Sequence, residues 1–544
     1  MNKILIIFLI FSFLIDFSYS EIPKSGQILQ ENSNLYINKS KPQIKLPKQE
    51  LKLDISDDKT LFDVKKIKIK GVTRFFESDL LFLSFGLEGK KITIADLQRF
   101  VNRITKYYRD NDYMVAYAYI PEQDISNGKV TIRVLEGELE KINIINTSTV
   151  SDSQIRSFFN KYLPLNTPLK GDYIKRAISN LSVLSGIDKI NISLSPGQKE
   201  GYTVLTLFVN TEKSYNGMIT LDNLGNQYTG TTRLSTSLSL KSPLKRGDVL
   251  SLSVLKSSQN LYYGNINCNF PITNIGLYGG LFFEYTNYEL SKDLENLGAN
   301  GNAEISGFVL KYDLYKKLDK RISFSLQRES RDLVDRIDSV NSYTDKSESA
   351  YIIKLNAKLS TYKYGGLNIT LKNTIGKLNI LDTDSRKYDI MTAQTNGDYN
   401  IVNLGIKGKK IFDSPFSLLF DLETQYTNSN LDSYEKFSLG GPDRVSSYSS
   451  GEGQGDEGIF SGVETQINLH PNLVLGIFAN IGRIKVNHDY ISNEKHTLSG
   501  AGFKFYWQMT ESLTINTTFA WKTSNYNIES DGKNITWFNI NKFF

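Results

Sequence analysis

Cysteine is almost absent from this sequence: Cys268 is the one cysteine in 544 residues. A single thiol excludes an internal disulfide, and with it the small disulfide-stapled modules that are common among exported proteins. Histidine is also scarce, and the spacing of His470, His488 and His496 matches neither a zinc site nor a nucleophile–histidine arrangement. The sequence therefore predicts no enzyme, no catalytic residue, no metal site and no cofactor, and stability has to come from sheet formation and burial.

Long apolar runs are missing beyond residue 20, where none approaches the roughly 18 residues of a membrane-spanning helix. Residues 1–20 contain a basic Lys3, an apolar run from Ile4 to Ile15, and small residues Ser18 and Ser20 before a plausible cleavage point. This pattern predicts a secretory signal peptide, and the run is too short to favour the alternative, a membrane anchor. Any membrane insertion of the mature chain then has to be as a β-barrel.

Strong charge of one sign is also lacking, because 64 Lys and Arg face 58 Asp and Glu, a net charge of +6. Spread over this length, the balance gives no indication of a nucleic-acid partner. Residues 21–60 are polar, rich in lysine and contain three prolines. They predict an N-terminal extension or linker, with at most a short helix around Gln27–Leu35.

From Leu61 the pattern changes, and two units of about 75 residues share one order of elements: strand, helix, helix, strand, strand. In the first unit, residues 61–137, Thr93 and Asp96 predict a capping box for an amphipathic helix. In the second unit, residues 138–213, a helix is expected to end at Gly186. The strands are predicted at residues 64–72, 114–120, 129–137, 139–147, 189–195 and 203–211.

Residues 214–544 show short alternating apolar and polar segments between polar, Gly- and Asn-rich connectors. A soluble sandwich or propeller also alternates, so the pattern alone does not separate these folds from a membrane barrel. The 31 Tyr and 30 Phe, the predicted export signal and an aromatic last residue, Phe544, favour a transmembrane antiparallel β-barrel. About 330 residues at roughly 20 per strand and connection predict about 16 strands.

At PEQDISNGKVTIRVLEGELEKI the sequence resembles the TpsB family, the outer-membrane transporters of two-partner secretion, also called haemolysin-activator type. The resemblance rests on a junction motif between that family's two periplasmic POTRA domains and continues through DNLGNQYTG, residues 222–230, to SGAGFKFYW, residues 499–507. It implies two α+β POTRA domains followed by a 16-stranded barrel. The junction residues are Pro121, Gln123, Asp124, Gly128, Val134, Glu136 and Gly137.

The stretch GGPDRVSSYSSGEGQGDEG, residues 440–458, interrupts the alternating pattern and resembles the family's long loop that folds back into the pore. A loop inside a barrel must satisfy its backbone there, which Gly, Ser and charged residues permit. A flexible exposed loop is the alternative reading. The candidate loop residues are Gly440, Gly441, Arg444, Val445, Ser446, Ser447, Tyr448, Gly451, Glu452, Gly455, Asp456 and Gly458, and the candidate wall motif consists of Phe478, Asn480 and Gly482.

The sequence departs from the family pattern at two positions. Ser446 stands where the resemblance implies a loop arginine, and Asn480 stands where it implies the aspartate that pairs with that arginine. Losing both charges leaves two neutral polar groups, whereas losing one would leave an unpaired buried charge. We therefore expect Ser446 and Asn480 to be neighbours; in a competing register, Arg444 pairs with Asp456 or Glu457.

The resemblance implies an outer-membrane translocator whose POTRA domains face the periplasm and recognise an unfolded exported polypeptide. Strand addition at a sheet edge, with residues 139–147 as one candidate edge, is the predicted binding mode. The expected partners are a large secreted TpsA-type exoprotein with an N-terminal secretion domain and outer-membrane lipid, and the pore is expected to be monomeric. An outer-membrane assembly or insertion factor remains as an alternative, and a passive porin is less consistent with two periplasmic domains.

Overall fold

The computed structural model describes residues 22–32, 43–45, 60–84, 86–317, 319–361, 364–489, 494–524 and 532–544. The predicted signal peptide, residues 1–20, lies outside the described residues. Within the predicted extension, helix α1 spans Ser25–Asn32 and strand β1 spans Gln43–Lys45. The helix expected around Gln27–Leu35 therefore begins two residues earlier, and its predicted last three residues lie outside the described part.

The first unit has a sheet with helices on one face, and its apolar core includes Leu97, Phe100 and Ile104 from the long helix α3. The predicted capping box is present, because Asp96 N donates to Thr93 Oγ1 and Thr93 N donates to Asp96 Oδ2. A two-stranded antiparallel sheet of β2 and β4 adds to the predicted elements. The elements are β2 (Leu61–Val64), β3 (Lys66–Lys70), α2 (Glu77–Leu81), β4 (Lys90–Thr93), α3 (Ile94–Asp110), β5 (Tyr117–Tyr119) and β6 (Lys129–Leu135).

The second unit repeats the plan with its own apolar core. Its elements are β7 (Glu138–Asn146), α4 (Asp152–Asn160), α5 (Gly171–Leu181), β8 (Ile187–Pro196) and β9 (Tyr202–Thr211). The prediction that a helix ends at Gly186 is wrong: α5 ends at Leu181, and Gly186, with φ +88°, lies in the turn before β8. The sheet order is β1-β8-β9-β7, so β1 of the extension pairs in parallel with β8.

A left-handed residue joins the two units. Asp112 has φ +71°, its carbonyl accepts from Gly171 N at 3.0 Å, and its Oδ2 accepts from Asp172 N at 2.5 Å. Asp112 of the first unit therefore caps the first turn of α5 in the second unit. Met114 and Val115 also pack against the second core, so the two units are in direct contact.

Within the described residues, sixteen strands close into one antiparallel barrel in the order β10 to β20 followed by β23 to β27. A helix, α6 (Thr383–Met391), connects β18 to β19. The barrel strands are β10 (Tyr215–Asp222), β11 (Arg233–Lys241), β12 (Val249–Ser257), β13 (Leu261–Pro271), β14 (Leu277–Glu289), β15 (Ala299–Lys316), β16 (Lys320–Ile337), β17 (Ser342–Thr361), β18 (Gly365–Ile380), β19 (Gly397–Ile411), β20 (Phe416–Thr427), β23 (Glu457–His470), β24 (Leu473–Lys485), β25 (Lys495–Thr510), β26 (Leu513–Lys522) and β27 (Asn534–Phe543). The short strands β21 (Phe437–Ser438) and β22 (Gln454–Gly455) form a separate two-stranded sheet.

The barrel wall alternates between an apolar outside and a polar inside. On β25, Phe503, Phe505 and Trp507 are exposed on the outer face, whereas Lys504 and Tyr506 point inward to Glu464 of β23. This period-2 alternation is that of a lipid-facing barrel. Among the described residues, no helix has the length and apolar character needed to cross a membrane.

The first and last strands of the barrel form a short seam. β10 pairs with β27 from Met218↔Phe543 to Asp222↔Asn539, and Gly217 exchanges main-chain hydrogen bonds with Phe544 at 3.0 Å. A Cβ on Gly217 would collide with the ring of Phe544, so the absent side chain makes room for that ring.

The second unit contacts the adjacent turns of the barrel directly. Ser151 N donates to Lys245 O at 2.9 Å, Ser185 N donates to Gly247 O at 3.1 Å, and Asn274 Nδ2 donates to Ser157 O at 2.8 Å. Glu212 at the end of the unit forms a largely buried ion pair with Lys241. These contacts place the second unit against one mouth of the barrel, and the first unit docks onto the second.

Candidate functional site in the barrel lumen

Helix α1 lies inside the barrel. Ile28 and Leu29 are fully buried in a cluster with wall residues that include Tyr263 and Leu333. Ser25 N donates to Asp335 Oδ1 on β16 at 2.8 Å. At Gly26 an added Cβ would lie 2.8 Å from Cβ of Tyr434, which lies between β20 and β23, so only a glycine allows the helix to approach Tyr434 this closely.

A buried ion pair on the first two strands holds the far end of α1. Arg233 Nε donates to Asp222 Oδ1 at 2.8 Å and Arg233 Nη2 donates to Asp222 Oδ2 at 3.3 Å. The remaining Nη1 donates to Asn32 Oδ1 at 2.9 Å. The bidentate geometry fixes the guanidinium, and the helix is thereby hydrogen-bonded to the wall at both ends.

The segment between β20 and β23, residues 428–456, folds back into the lumen instead of extending into solvent. It contains the β21–β22 hairpin, with Phe437↔Gly455 and Ser438↔Gln454 as partners. Val445, Ser446 and Tyr448 are all fully buried. Residues of the 440–458 stretch are thus buried among the wall strands in this structure, and their role as the family's pore loop stays a prediction.

The lumenal loop has its own apolar contact with the wall. Phe437, Leu439, Val445 and Tyr448 of the loop cluster with Phe460, Ile484 and Leu498 of β23, β24 and β25. Tyr448 OH is 2.7 Å from Ser524 Oγ, and Lys522 Nζ lies 4.6 Å from the centre of the Tyr448 ring. Gly482 of the wall motif leaves the space that the Leu439 side chain occupies. Burial and shape, as well as charge, therefore hold the loop.

The glycines and acids of the loop shape its turns. Gly441, with φ +120°, and Gly451, with φ +86°, adopt backbone conformations that disfavour side chains. Gly440 N donates to Glu452 O at 2.8 Å, and Ser449 N donates to the Glu452 carboxylate at 3.1 Å. Ser447 is buried with Oγ 3.4 Å from Ser499 O, Gly455 lies in β22, and Gly458 packs against Phe437.

Arg444 joins the loop to the wall. Its Nε and Nη2 donate to Glu423 Oε2 on β20 at 3.0 and 2.9 Å, and its guanidinium lies 4.4 Å from the centre of the Phe437 ring. The competing register anticipated a charge pair for Arg444, but the acid differs from both residues it named. Asp456 pairs with Lys436 at 2.8 Å and Glu457 with His488 at 2.5 Å, so both are already engaged.

Ser446 and Asn480 contact different groups. Asn480 Nδ2 donates to Arg444 O at 2.6 Å, whereas Ser446 Oγ donates to Pro442 O at 3.1 Å and Ser446 O accepts from Trp537 Nε1 at 2.6 Å. Asn480 Oδ1 is buried and has no hydrogen-bond partner among the described residues. The wall motif therefore touches the loop two residues before Ser446. Phe478 lies on the same wall strand, β24, and Lys504 Nζ is 4.9 Å from the centre of its ring.

A cluster of buried charges ties the opposite wall to the loop. Arg331 of β16 is 2 % exposed and pairs with Glu329, with Glu348 of β17 and with loop residue Glu435. Its guanidinium also stacks 4.2 Å from the ring centre of Tyr434. Lys346 of β17 likewise pairs with loop residue Asp432 at 2.7 Å. Withdrawing the loop would leave both cations with one carboxylate fewer, so the resting position is electrostatically favoured.

The junction motif between the units is structural. Glu136 accepts from Thr73 N at 2.8 Å, Arg74 N at 3.0 Å and Tyr108 OH at 2.8 Å, and burial together with Glu136 raises the pKa of Tyr108. The side-chain amide of Gln123 bonds to the main chain of Thr131 as a neighbouring strand would. Its Nε2 donates to Thr131 O and its Oε1 accepts from Thr131 N, both at 2.7 Å. Pro121 O accepts from Gln123, Asp124 caps Ser126 N, and Gly128 and Gly137 have positive φ.

The partners of the lumenal charges are what sequence reasoning missed. Glu423, Arg233 and Arg331 sit on strands with no motif, and the only sequence signal was charge at inward positions of an alternating strand. Which charge faces which depends on barrel register, which pattern does not supply. No group of three or more His, Cys, Asp or Glu side chains in the described residues is arranged to hold a metal ion.

Comparison with protein-family models gives two matches. Residues 62–137 match the model of the POTRA domain, ShlB-type, and residues 201–505 match the model of the haemolysin secretion/activation protein ShlB/FhaC/HecB.

Similar curated proteins are transporters. The heme/hemopexin transporter protein HuxB of Haemophilus influenzae strain 86-028NP is 24% identical over 84% of this chain and 82% of its own length. The hemolysin transporter protein HpmB of Proteus mirabilis is 27% identical over 52% of this chain and 50% of its own length.

Solved structures share the fold. CdiB from Escherichia coli superposes with a TM-score of 0.67 at 18% identity, covering 91% of this chain and 93% of its own. BamA from Haemophilus ducreyi lacking POTRA domains 1–3 superposes with a TM-score of 0.56 at 13% identity, covering 89% of this chain and 100% of its own.

Proposed function

The chain belongs to the haemolysin secretion/activation family ShlB/FhaC/HecB and is an outer-membrane transporter of two-partner secretion, and from that premise we propose how its lumen is gated and what it exports. The first unit is a POTRA domain of ShlB type, and in this family POTRA domains face the periplasm. The mouth of the barrel that carries the second unit is therefore the periplasmic one. The observation that supports gating is that α1 and the lumenal loop together occupy the lumen.

The gate is held by bonds that can be exchanged. Helix α1 is held at its ends by Asp335 and by Arg233, and the loop is held by Arg331, Lys346 and Glu423. Polar and charged contacts can be replaced by water or by the main chain of a passing polypeptide at modest net cost. The polar contacts can therefore be exchanged for those of an exported chain, whereas the apolar clusters around Ile28 and Leu29 and around Tyr448 oppose release.

One edge at which an exported strand could add, that of β8 in the second unit, is already occupied. β1 pairs in parallel with β8, from Gln43↔Lys189 to Lys45↔Asn191, so an exported strand that uses this edge must displace β1. Only residues 33–42 separate β1 from α1. Displacement of β1 at the second unit would free the segment that leads into the lumen, which couples client recognition to release of α1. The edge predicted from the sequence, residues 139–147, corresponds to β7.

The proposed client is a large secreted exoprotein with an N-terminal secretion domain. The similar proteins named for heme/hemopexin and hemolysin transport support this class without specifying the client of this chain. The alternative of a barrel-assembly factor receives less support, because the family model is that of a secretion protein and the BamA likeness, at 13% identity, shows the fold alone.

A reversible tether tests gating and secretion together. In a Cys268→Ser background, Gly26→Cys and Tyr434→Cys place two thiols close enough for a disulfide after a small shift, since the Cβ positions are 2.8 Å apart. We expect oxidised cells to stop releasing an exoprotein encoded beside this gene, and dithiothreitol to restore release. The same double variant kept reduced is the matched control, because it carries both substitutions without the tether.

The outcomes separate the two claims. Undiminished secretion by the oxidised double variant would refute displacement of α1. If deletion of the whole gene leaves the exoprotein in the medium while other barrels fail to assemble, the secretion function itself is wrong.

A further inference from the structure

One face of the first unit carries a row of cations. Lys66, Lys68 and Lys70 are all exposed on the solvent side of β3, and Lys129 and Arg133 are exposed on the adjacent strand β6. These five residues are called the cationic face. Helix α3 packs on the opposite side of the sheet, where Ile67 and Ile69 are buried.

The register of the two strands places like charges side by side. β3 and β6 are parallel, with Lys66 opposite Lys129 and Lys70 opposite Arg133. Like charges at directly opposed positions destabilise a sheet. Arg133 is relieved by Glu200 at 3.7 Å, but among the described residues none of the four lysines forms an ion pair. The fold therefore keeps an arrangement that an anionic partner would stabilise.

The edge of the same sheet is closed to strand addition. In the order β3-β6-β5, β3 is an edge strand, and its outward N–H groups belong to Ile67 and Ile69. Ile67 N donates to Glu88 Oε1 at 2.7 Å and Ile69 N donates to Glu77 Oε1 at 3.0 Å. Two carboxylates thus occupy the main-chain donors that an added strand would need. A polypeptide can meet β3 through the side chains of the cationic face without opening this edge.

We propose that the cationic face binds an extended, acidic segment of the exported client, with carboxylates on alternate residues. The inference rests on the proposed secretion function. Alternate residues of a strand lie about 6.6 Å apart on one face, so carboxylates spaced at every second residue of an extended segment match the row Lys66, Lys68 and Lys70. Exposed Tyr117 on β5 lies opposite Leu135 at the end of β6, and it offers a ring for the apolar parts of the segment at the margin of the cationic face.

A polypeptide fits this face better than a lipid surface does. The contacts to the barrel described above come from the second unit, at Ser151, Ser157 and Ser185. The first unit is docked onto the second through Asp112. An anionic partner of the face has to reach it in the periplasm, as an exported chain does.

Peptide binding to the intact transporter tests the proposal. The full chain in lipid nanodiscs is titrated against a fluorescent (Thr-Glu)5 peptide, with (Thr-Gln)5 as the uncharged probe. We expect the Lys66→Gln/Lys68→Gln/Lys70→Gln variant to weaken binding of the acidic peptide at least tenfold, and rising salt to weaken binding to the wild type. The matched control changes the same number of exposed lysines of this unit off the face: Lys90→Gln/Lys91→Gln/Lys106→Gln.

Three results would overturn the proposal: equal binding of both peptides, equal loss in both triple variants, or no loss in the face variant. Vesicles containing anionic phosphatidylglycerol are tested in parallel, and a face variant that loses vesicle binding but keeps peptide binding would assign the face to lipid instead. Secretion is scored separately, since wild-type chain that fails to export its neighbour-encoded exoprotein would refute the secretion function while leaving the peptide result intact.

Discussion

At the scale of single residues, the charge that anchors the loop of this transporter lies two positions before Ser446, where the family pattern has its arginine. Ser446 and Asn480 are both neutral, and the ion pair between loop and wall is formed by Arg444 with Glu423. Asn480 supports this anchor through the carbonyl of Arg444 rather than through Ser446. That Ser446 and Asn480 are neighbours stays a prediction. Among the described residues, Oδ1 of Asn480 has no hydrogen-bond partner, so a donor on the loop could bond to it.

The anchor predicts non-additive mutations. Arg444→Gln or Glu423→Gln alone leaves the other residue of the pair partly buried without this partner, and each should let the loop open more often. The double change should destabilise the closed loop by less than the sum of the two single changes. We expect a coupling of about 1 kcal/mol, because both side chains are partly exposed to the lumen. The rate at which a cysteine at buried position 447 is alkylated, in a Cys268→Ser background, reports opening.

The control for this cycle is a pair that does not touch the loop. Lys387 and Asp384 of α6 form an ion pair at 3.3 Å with both side chains exposed, and Lys387→Gln should leave alkylation at position 447 unchanged. Additive effects of Arg444→Gln and Glu423→Gln would show that the two residues act independently.

At the scale of elements, periodicity located most helices and strands, and tertiary contacts explain the exceptions. The strand predicted at 114–120 is found only at Tyr117–Tyr119, because Met114 and Val115 pack against the core of the second unit. Such a contact between units is invisible to local pattern. The family resemblance implied a lumenal position for the 440–458 segment, while the ion partners of Arg444 and its neighbours lie on strands whose register no local pattern contains.

The capping box at the start of helix α3 makes the stability of that helix depend on pH. Hydrogen bonds from Thr93 and then from Arg99 hold the pKa of Asp96 at about 2, below its usual 3.8. A lowered folded-state pKa means that the stabilisation is present above about pH 4 and is lost as pH falls toward 2. We expect Asp96→Asn to lower protection of α3 amides near pH 7 and to flatten the loss of protection between pH 4 and 2.

Hydrogen exchange of the α3 amides, corrected for the intrinsic pH dependence, measures this effect. Asp110→Asn at the other end of α3 removes an acid from the same helix but no capping bond, and it should keep the wild-type pH profile. A wild-type profile in Asp96→Asn would show that the capping box does not set the acid response of this helix.

At the scale of the whole molecule, barrel closure depends on Gly217 and Phe544 at the seam. Gly217→Leu would drive a side chain into the Phe544 ring, so we expect loss of the heat-modifiable folded form on semi-native gels. Adding Phe544→Ala to Gly217→Leu should restore part of that form by vacating the space. Gly264→Leu is the control, since a Cβ there meets nothing within 4 Å.

The same seam has a consequence in time. Met218 and Phe543 are partners although more than three hundred residues separate them, so their pairing has a very high contact order and cannot precede the strands in between. Until it forms, both β10 and β27 present open edges that could pair with other chains. This polypeptide must therefore be kept from aggregating in the periplasm until β10 and β27 have paired, before the finished barrel can export another polypeptide.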